Sequence, residues 1–135
     1  MAGYSGKPLT TKLGIRGGHR LLIRNAPANY SALVSPLPDG VLVSSRIRSN
    51  VDICHFFTKS ATELRATLPG LMCRIRQDGM IWVSWPKKAS KVVTDVSEDT
   101  VREVALPIGL VDVKVCAVDE IWSGLKLVIR KELRR

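Results

Sequence analysis

The chain has 135 residues, 45% of them hydrophobic, and a formal net charge of +9. That length supports one core and excludes a second domain of ordinary size, and no apolar run reaches the ~18 residues that a membrane helix needs. The opening Met-Ala-Gly-Tyr-Ser-Gly-Lys-Pro lacks the apolar stretch of a secretory signal, and Cys54, Cys73 and Cys116 are odd in number and set in apolar segments, which argues against a disulfide framework or a zinc site. The expectation is a single α/β domain over residues 1–135 in a soluble, cytoplasmic protein with no membrane partner, no metal and no bound cofactor. Its charge is uneven: residues 1–91 hold 14 Lys or Arg against 4 Asp or Glu, while residues 92–135 hold 7 against 8.

The stretch Lys7 to Gly14 predicts a short helix, with Pro8 near its start and Gly14 past its end. Gly17-Gly18 turns the chain into a strand over His19–Arg24, where Leu21, Leu22 and Ile23 in a row suit a strand covered on both faces. Asn25-Ala26-Pro27 stops it, and a brief helix over Asn29–Val34 follows. Val41–Ser45 and Val51–Thr58 are the next strands. Ser60-Ala61-Thr62-Glu63 has capping-box spacing, and Leu64, Leu68, Leu71, Met72 and Ile75 continue at helical intervals, so one helix is expected, kinked or restarted at Pro69.

Gln77-Asp78-Gly79 reads as a turn into a strand over Met80–Trp85 that Pro86 closes, with Lys87, Lys88 and Lys91 in the loop beyond. Ser97 before Glu98 and Asp99 opens a helix to about Leu106, ahead of Pro107 and Gly109. Alternation in Val111–Val118 and Leu125–Lys131 marks two final strands joined by a loop over Asp119–Gly124. Helices between the earlier strands call for parallel crossovers, whereas so short a last connection permits only an antiparallel neighbour.

The expected fold is therefore a three-layer α/β sandwich with a mostly parallel sheet and an antiparallel final strand. This layout resembles the methyltransferase variant of the Rossmann fold: Leu13 to Ile23 resembles its approach to the first strand, Arg76 to Trp85 its turn into the fifth, and one strand with its helices after residue 46 is trimmed. Gly3-Tyr4-Ser5-Gly6-Lys7-Pro8-Leu9, Ser84-Trp85-Pro86-Lys87-Lys88-Ala89-Ser90 and Val113 to Lys126 are moreover similar to a bacterial family catalogued as domain of unknown function 3052. That resemblance implies a bacterial, cytoplasmic protein and carries no activity or catalytic residue.

A methyltransferase of this fold holds S-adenosylmethionine on a glycine-rich loop after the first strand and on an acidic residue that ends the second. Here the loop Asn25-Ala26-Pro27-Ala28-Asn29-Tyr30 has no glycine and loses an amide at Pro27, while the second strand leads into Ser44-Ser45-Arg46-Ile47-Arg48. Other enzyme motifs are missing as well: there is no phosphate loop, no G-x-S-x-G elbow and no H-E-x-x-H. Cys54 and His55 are neighbours in one strand and point to opposite faces, so they form no dyad; His55 is expected to be buried and hydrogen-bonded.

Ligands of open α/β sheets gather beyond the carboxyl ends of the strands, which here deliver Asn25 and Tyr30, then Trp85, Lys87 and Lys88, then Asp119, Glu120 and Trp122. Two tryptophans, two lysines and two acids at one edge could stack on a planar ligand and hold an anionic group, or meet a protein. Alternatively, the rings cover the sheet edge and the lysines pair with the acids. The first functional reading is a non-catalytic binding or interaction module with a small-molecule or protein partner. The second is an enzyme with an atypical small-molecule or nucleotide site, related to the S-adenosylmethionine-dependent methyltransferases. The third is a weak, non-specific nucleic-acid accessory using the basic half, disfavoured by an aromatic content of only 5%.

Overall fold

The computed structural model describes residues 8–135, so the expected helix start at Lys7 and most of the segment Gly3 to Leu9 lie outside the described residues. Helix α1 (Leu9–Leu13) follows Pro8 and ends on Gly14 in the left-handed region at φ 79°. Then come β1 (Arg20–Arg24), the one-turn α2 (Tyr30–Leu33), β2 (Leu42–Ser44), β3 (Val51–Phe57), α3 (Ala61–Met72), β4 (Ile75–Pro86), α4 (Glu98–Ile108), β5 (Leu110–Ala117) and β6 (Trp122–Ile129). The six strands form one sheet in the order β2-β1-β3-β4-β6-β5. β1, β2, β3 and β4 are mutually parallel, and β6 lies antiparallel to both β4 and β5. The fold is the expected one, a mostly parallel sheet whose final strand runs the other way.

Both faces are covered. α3 and α4 pack on one, over Leu22, Cys54, Phe56, Ile81, Val83, Trp85 and Leu127. The other carries Leu21, Ile53, Phe57, Trp82 and Trp122 beneath Leu9 and Leu13 of α1 and Tyr30 of α2. Local chemistry sets the helix starts. Ser60 accepts from the Glu63 amide at α3, and Ser97 and Thr100 form a reciprocal capping box at α4, with Glu98 and Asp99 in the first turn. Among the described residues no helix is long and apolar enough to cross a membrane.

Five details differ from the sequence expectation. α3 passes through Pro69 without a break, because Pro69 and Arg65, whose carbonyl loses its amide partner, are both exposed while Leu64, Leu68 and Leu71 hold the inner face on the sheet. The helix stops at Met72, and Ile75 starts β4 instead. Gln77-Asp78-Gly79 is not a turn but part of β4, at a register irregularity opposite Val51 and Ile53. Gly79 is needed there because a Cβ would stand 2.9 Å from the Val51 carbonyl oxygen. Pro107 lies inside the last turn of α4, which ends at Gly109, and β6 begins at Trp122 rather than Leu125.

A polar string crosses the α1 face of the core. His55 is fully buried, with Nδ1 2.9 Å from the Tyr30 hydroxyl and Nε2 2.7 Å from Ser84 Oγ, so a neutral ring satisfies both hydroxyls as donor to one and acceptor from the other. Phe57 stacks on the imidazole at 4.2 Å and meets Tyr30 edge-on at 5.6 Å. Burial pushes the His55 pKa down to about 3 and raises that of Tyr30 above its ordinary value. The folded pKa of His55 lies below the unfolded value of 6.5, so the unfolded chain binds the extra proton between the two and stability falls as pH drops through that window. Urea unfolding between pH 6.5 and about 5.5, above the ordinary carboxylate range of about 4, should lose up to about 1.4 kcal/mol per pH unit, and His55→Gln should flatten that slope.

Candidate functional site

β1 ends one residue before Asn25, which is held at φ 57°, and the chain leaves the sheet through Ala26 and Pro27. β3 ends one residue before Thr58, whose amide donates to the Ser84 carbonyl at 2.9 Å, and the chain turns at Lys59 and Ser60 into α3. These two exits flank a cleft of about 580 Å³ at the carboxyl edge of the sheet, with Phe57 and Trp122 in its wall. The two rings meet edge-on at 5.0 Å.

Glu63 is the polar centre of this cleft. Thr58 Oγ1 donates to Oε1 at 2.6 Å and Asn25 Nδ2 donates to Oε2 at 3.2 Å, so one carboxylate ties the first loop to the third strand's exit. A capping box would have Glu63 reach back to the Ser60 amide, but that amide donates to Thr58 Oγ1 instead at 3.2 Å, which frees the carboxylate to face the cleft. The neighbouring amide of Ala61 donates to Asp95 Oδ1 at 2.8 Å, so a side chain from the loop before α4 already serves the start of α3. Two carboxylate oxygens offer about four acceptor positions, and the protein uses one on each oxygen, leaving capacity for a hydroxyl or ammonium donor.

Of the residues expected at the carboxyl edge, Asn25 and Trp122 line this cleft. Lys87 and Lys88 come to the same edge as Asp119, Glu120 and Trp122: Pro86 is paired with Trp122, and the Lys87 amide donates to the Ile121 carbonyl at 2.8 Å. Among the described residues no ion pair joins these lysines to Asp119 or Glu120. Asp119 is spent locally, its Oδ1 accepting from the amides of Ile121 and Trp122 at 2.8 Å each, while Glu120 is exposed.

Two placements differ from the expected shared neighbourhood. Trp85 is opposite Ser123 in the register and Trp122 opposite Pro86, so their side chains leave opposite faces of the sheet; both are buried, one in each core cluster, and they cannot enclose one planar ligand. Trp85 and Lys88 border a separate cleft of about 470 Å³ beside the 91–97 loop. Tyr30 is buried on His55 and borders an apolar groove of about 520 Å³ with Ile23, Leu37 and Val43. Phe57, Thr58, Lys59 and Glu63 were not among the expected site residues. The signal for Glu63 was its place in the first turn of a helix that leaves a parallel strand, which sets it above the carboxyl edge. Among the described residues no group of three or more His, Cys, Asp or Glu could hold a metal ion.

The fold has counterparts among solved structures. The fibrillarin pre-rRNA processing protein of Methanococcus jannaschii superposes with a TM-score of 0.58 over 94% of this chain and 70% of its own, at 9% identity. Aeropyrum pernix fibrillarin, whose structure holds natively bound S-adenosyl-L-methionine, superposes with a TM-score of 0.58 over 89% of this chain and 73% of its own, at 12% identity. A TehB-like SAM-dependent methyltransferase from Corynebacterium glutamicum gives 0.53 over 90% and 85%, at 10% identity. At such identities the likeness is one of fold, a methyltransferase-like Rossmann fold. No curated protein matches the sequence. A family model covers residues 31–131, three quarters of the chain, and the chain belongs to that family, described as "Protein of unknown function (DUF3052)".

Proposed function

We propose that this chain is a non-catalytic binding module, a methyltransferase-like scaffold whose carboxyl-edge cleft takes a ligand other than S-adenosylmethionine. The observation that carries this reading is the first crossover. Between β1 and β2 the chain has no glycine before Gly40, Pro27 contributes no amide donor, and the only helix is the four-residue α2, whose Tyr30 is buried against Phe57 and His55. Such a loop has no close backbone approach and no extended helix N-terminus to offer an adenosyl ligand. β2 stops at Ser44 and leads to Arg46 and Arg48, cationic where a ribose needs an acceptor. The residues present do not fit this cofactor.

The cleft itself persists, and its chemistry describes its occupant. Glu63 accepts a hydroxyl or ammonium group, Asn25, Thr58 and Lys59 surround that point with further polar groups, and Phe57 and Trp122 supply an apolar wall. A small polar molecule with an apolar portion matches it, as does a Lys or Ser side chain of a partner protein seated with Lys87, Lys88 and Glu120 on the rim.

Isothermal titration calorimetry with S-adenosylmethionine should give no measurable binding, and a micromolar dissociation constant would overturn the reading in favour of an enzyme related to the methyltransferases. In a thermal-shift screen of amines, polyols and nucleotides, a true ligand at about 100 times its dissociation constant should add about 2.7 kcal/mol of stability. Glu63→Gln should abolish that shift while the unliganded melting temperature stays within a few degrees of the parent, since the Ser60 cap remains. A ligand whose shift survives Glu63→Gln unchanged would place binding elsewhere.

A further inference from the structure

We infer that the α1-side face of β5 and β6 is a binding surface for the phosphate backbone of a nucleic acid, built on Arg16, Lys114 and Lys126. This surface lies apart from the cleft of Glu63 and stands independently of it. Its origin is an irregularity in β5. Asp112 is paired with Leu127, and the next paired residue is Lys114, opposite Lys126, so Val113 is the extra residue of a bulge. In a regular strand residues 112 and 114 share a face. Here Asp112 faces α4 and binds Arg102 at 3.0 Å, whereas Lys114 is turned to the opposite face, its Nζ 5.9 Å from the Trp82 ring centroid.

The result is two lysines directly opposite each other on neighbouring strands, an arrangement that destabilises a sheet unless something negative meets it. Among the described residues no acid does so. The ion pairs of the described residues are made by Arg76 with Asp52 and Asp78, and by Arg102 with Glu98, Asp99 and Asp112; none reaches Arg16, Lys114 or Lys126. Residues 1–7 contain no Asp or Glu. Partial burial, with Lys114 and Arg16 nearby, holds the Lys126 pKa below its ordinary value, and the Cys116 thiol beside them feels Lys12 as well as Lys114. Arg16, in the loop after α1, thus lies near the cross-strand pair of Lys114 and Lys126.

The form of this surface selects its occupant. Neighbouring strands set cations about 4.8 Å apart, and a nucleic-acid strand offers a phosphate every 3.4 Å or so of axis, so side chains on β5 and β6 can meet successive phosphates. Lys126 is half-buried and Trp82 is fully covered. Arg16 and Lys114 are exposed, and a narrow phosphate backbone can also reach the recessed Lys126, which a plane of lipid headgroups meets poorly; the Trp82 ring beside Lys114 is covered and gives no platform for base stacking. Binding is therefore through charge, without sequence preference.

Fluorescence anisotropy with a short mixed-sequence RNA and the matching duplex DNA tests this. At about 50 mM salt both should bind, with affinity falling log-linearly toward about 200 mM. Lys114→Ala with Lys126→Ala should weaken binding about ten-fold or more and reduce the salt slope by about 1 to 2, while the charge-matched pair Arg65→Ala with Lys131→Ala, away from this face, should change affinity by less than about two-fold. Circular dichroism confirms folding, and Arg16→Ala, outside the sheet, serves as a second variant with a smaller loss in the same direction. Equal losses from both charge-matched pairs would reduce the effect to net charge and overturn the site. No binding at low salt, or binding to phosphatidylserine vesicles in place of nucleic acid with the same dependence on Lys114 and Lys126, would overturn it too.

Discussion

The second half of β4, from Ile81 on, is paired with parallel β3 on one side and antiparallel β6 on the other, and the rest of the molecule is arranged around that double pairing. Its residues from Ile81 to Ser84 are fully buried, so each carries a tertiary duty. Ile81 and Val83 face α3 and α4. Trp82, on the other face, donates from Nε1 to the Leu13 carbonyl at 3.0 Å and so fastens α1 to the sheet. Ser84 receives the Thr58 amide on its carbonyl and His55 on its hydroxyl, which joins the exit of β3 to the centre of the core. A buried polar string of this kind is tolerable only when every member is satisfied, and Tyr30, His55 and Ser84 meet that condition together.

The same string shapes the carboxyl edge. In a nucleotide-binding sheet the first crossover leaves room for a ligand above the strand ends. Here Tyr30 turns inward from a one-turn helix to the His55 ring, and the loop that precedes it is drawn to α3 by the hydrogen bond from Asn25 to Glu63. The space open at this edge is walled by Phe57 and Trp122 and centred on the Glu63 carboxylate. The antiparallel β6 contributes to it for a topological reason: a strand returning toward the amino edge begins at the carboxyl edge, so its first residue, Trp122, stands there.

Charge is sorted by the two faces of the same sheet. On the α4 side acids predominate, Arg102 drawing Glu98, Asp99 and Asp112 together and holding the Asp112 carboxyl below its usual pKa range. The bulge at Val113 sends the next charge to the other side, where Lys114 meets Lys126 and, among the described residues, no acid. An overall excess of positive charge thus becomes a directional one, which composition alone describes only as a difference between two stretches of chain.

By itself the sequence determined the class of fold. Apolar runs flanked by caps and breakers marked every strand and helix, and the short connection after Val118 admitted only an antiparallel partner for β6, because so few residues cannot carry the chain back across a sheet. The missing glycines of the first loop were equally plain, and Asn25 and Trp122 could be placed at the carboxyl edge from strand direction alone. Tertiary structure decided whatever depends on register between distant strands. Gln77-Asp78-Gly79 has the composition of a turn, yet pairing with β3 keeps it in β4; Trp85 and Trp122 fall on opposite faces because Pro86, not Trp85, is aligned with Trp122; Lys114 faces Lys126 because β5 gains one residue against β6. Side-chain direction in a sheet has a period of two, so a shift of one residue reverses the face, and that shift is set by partners far away in the chain rather than by local residue types.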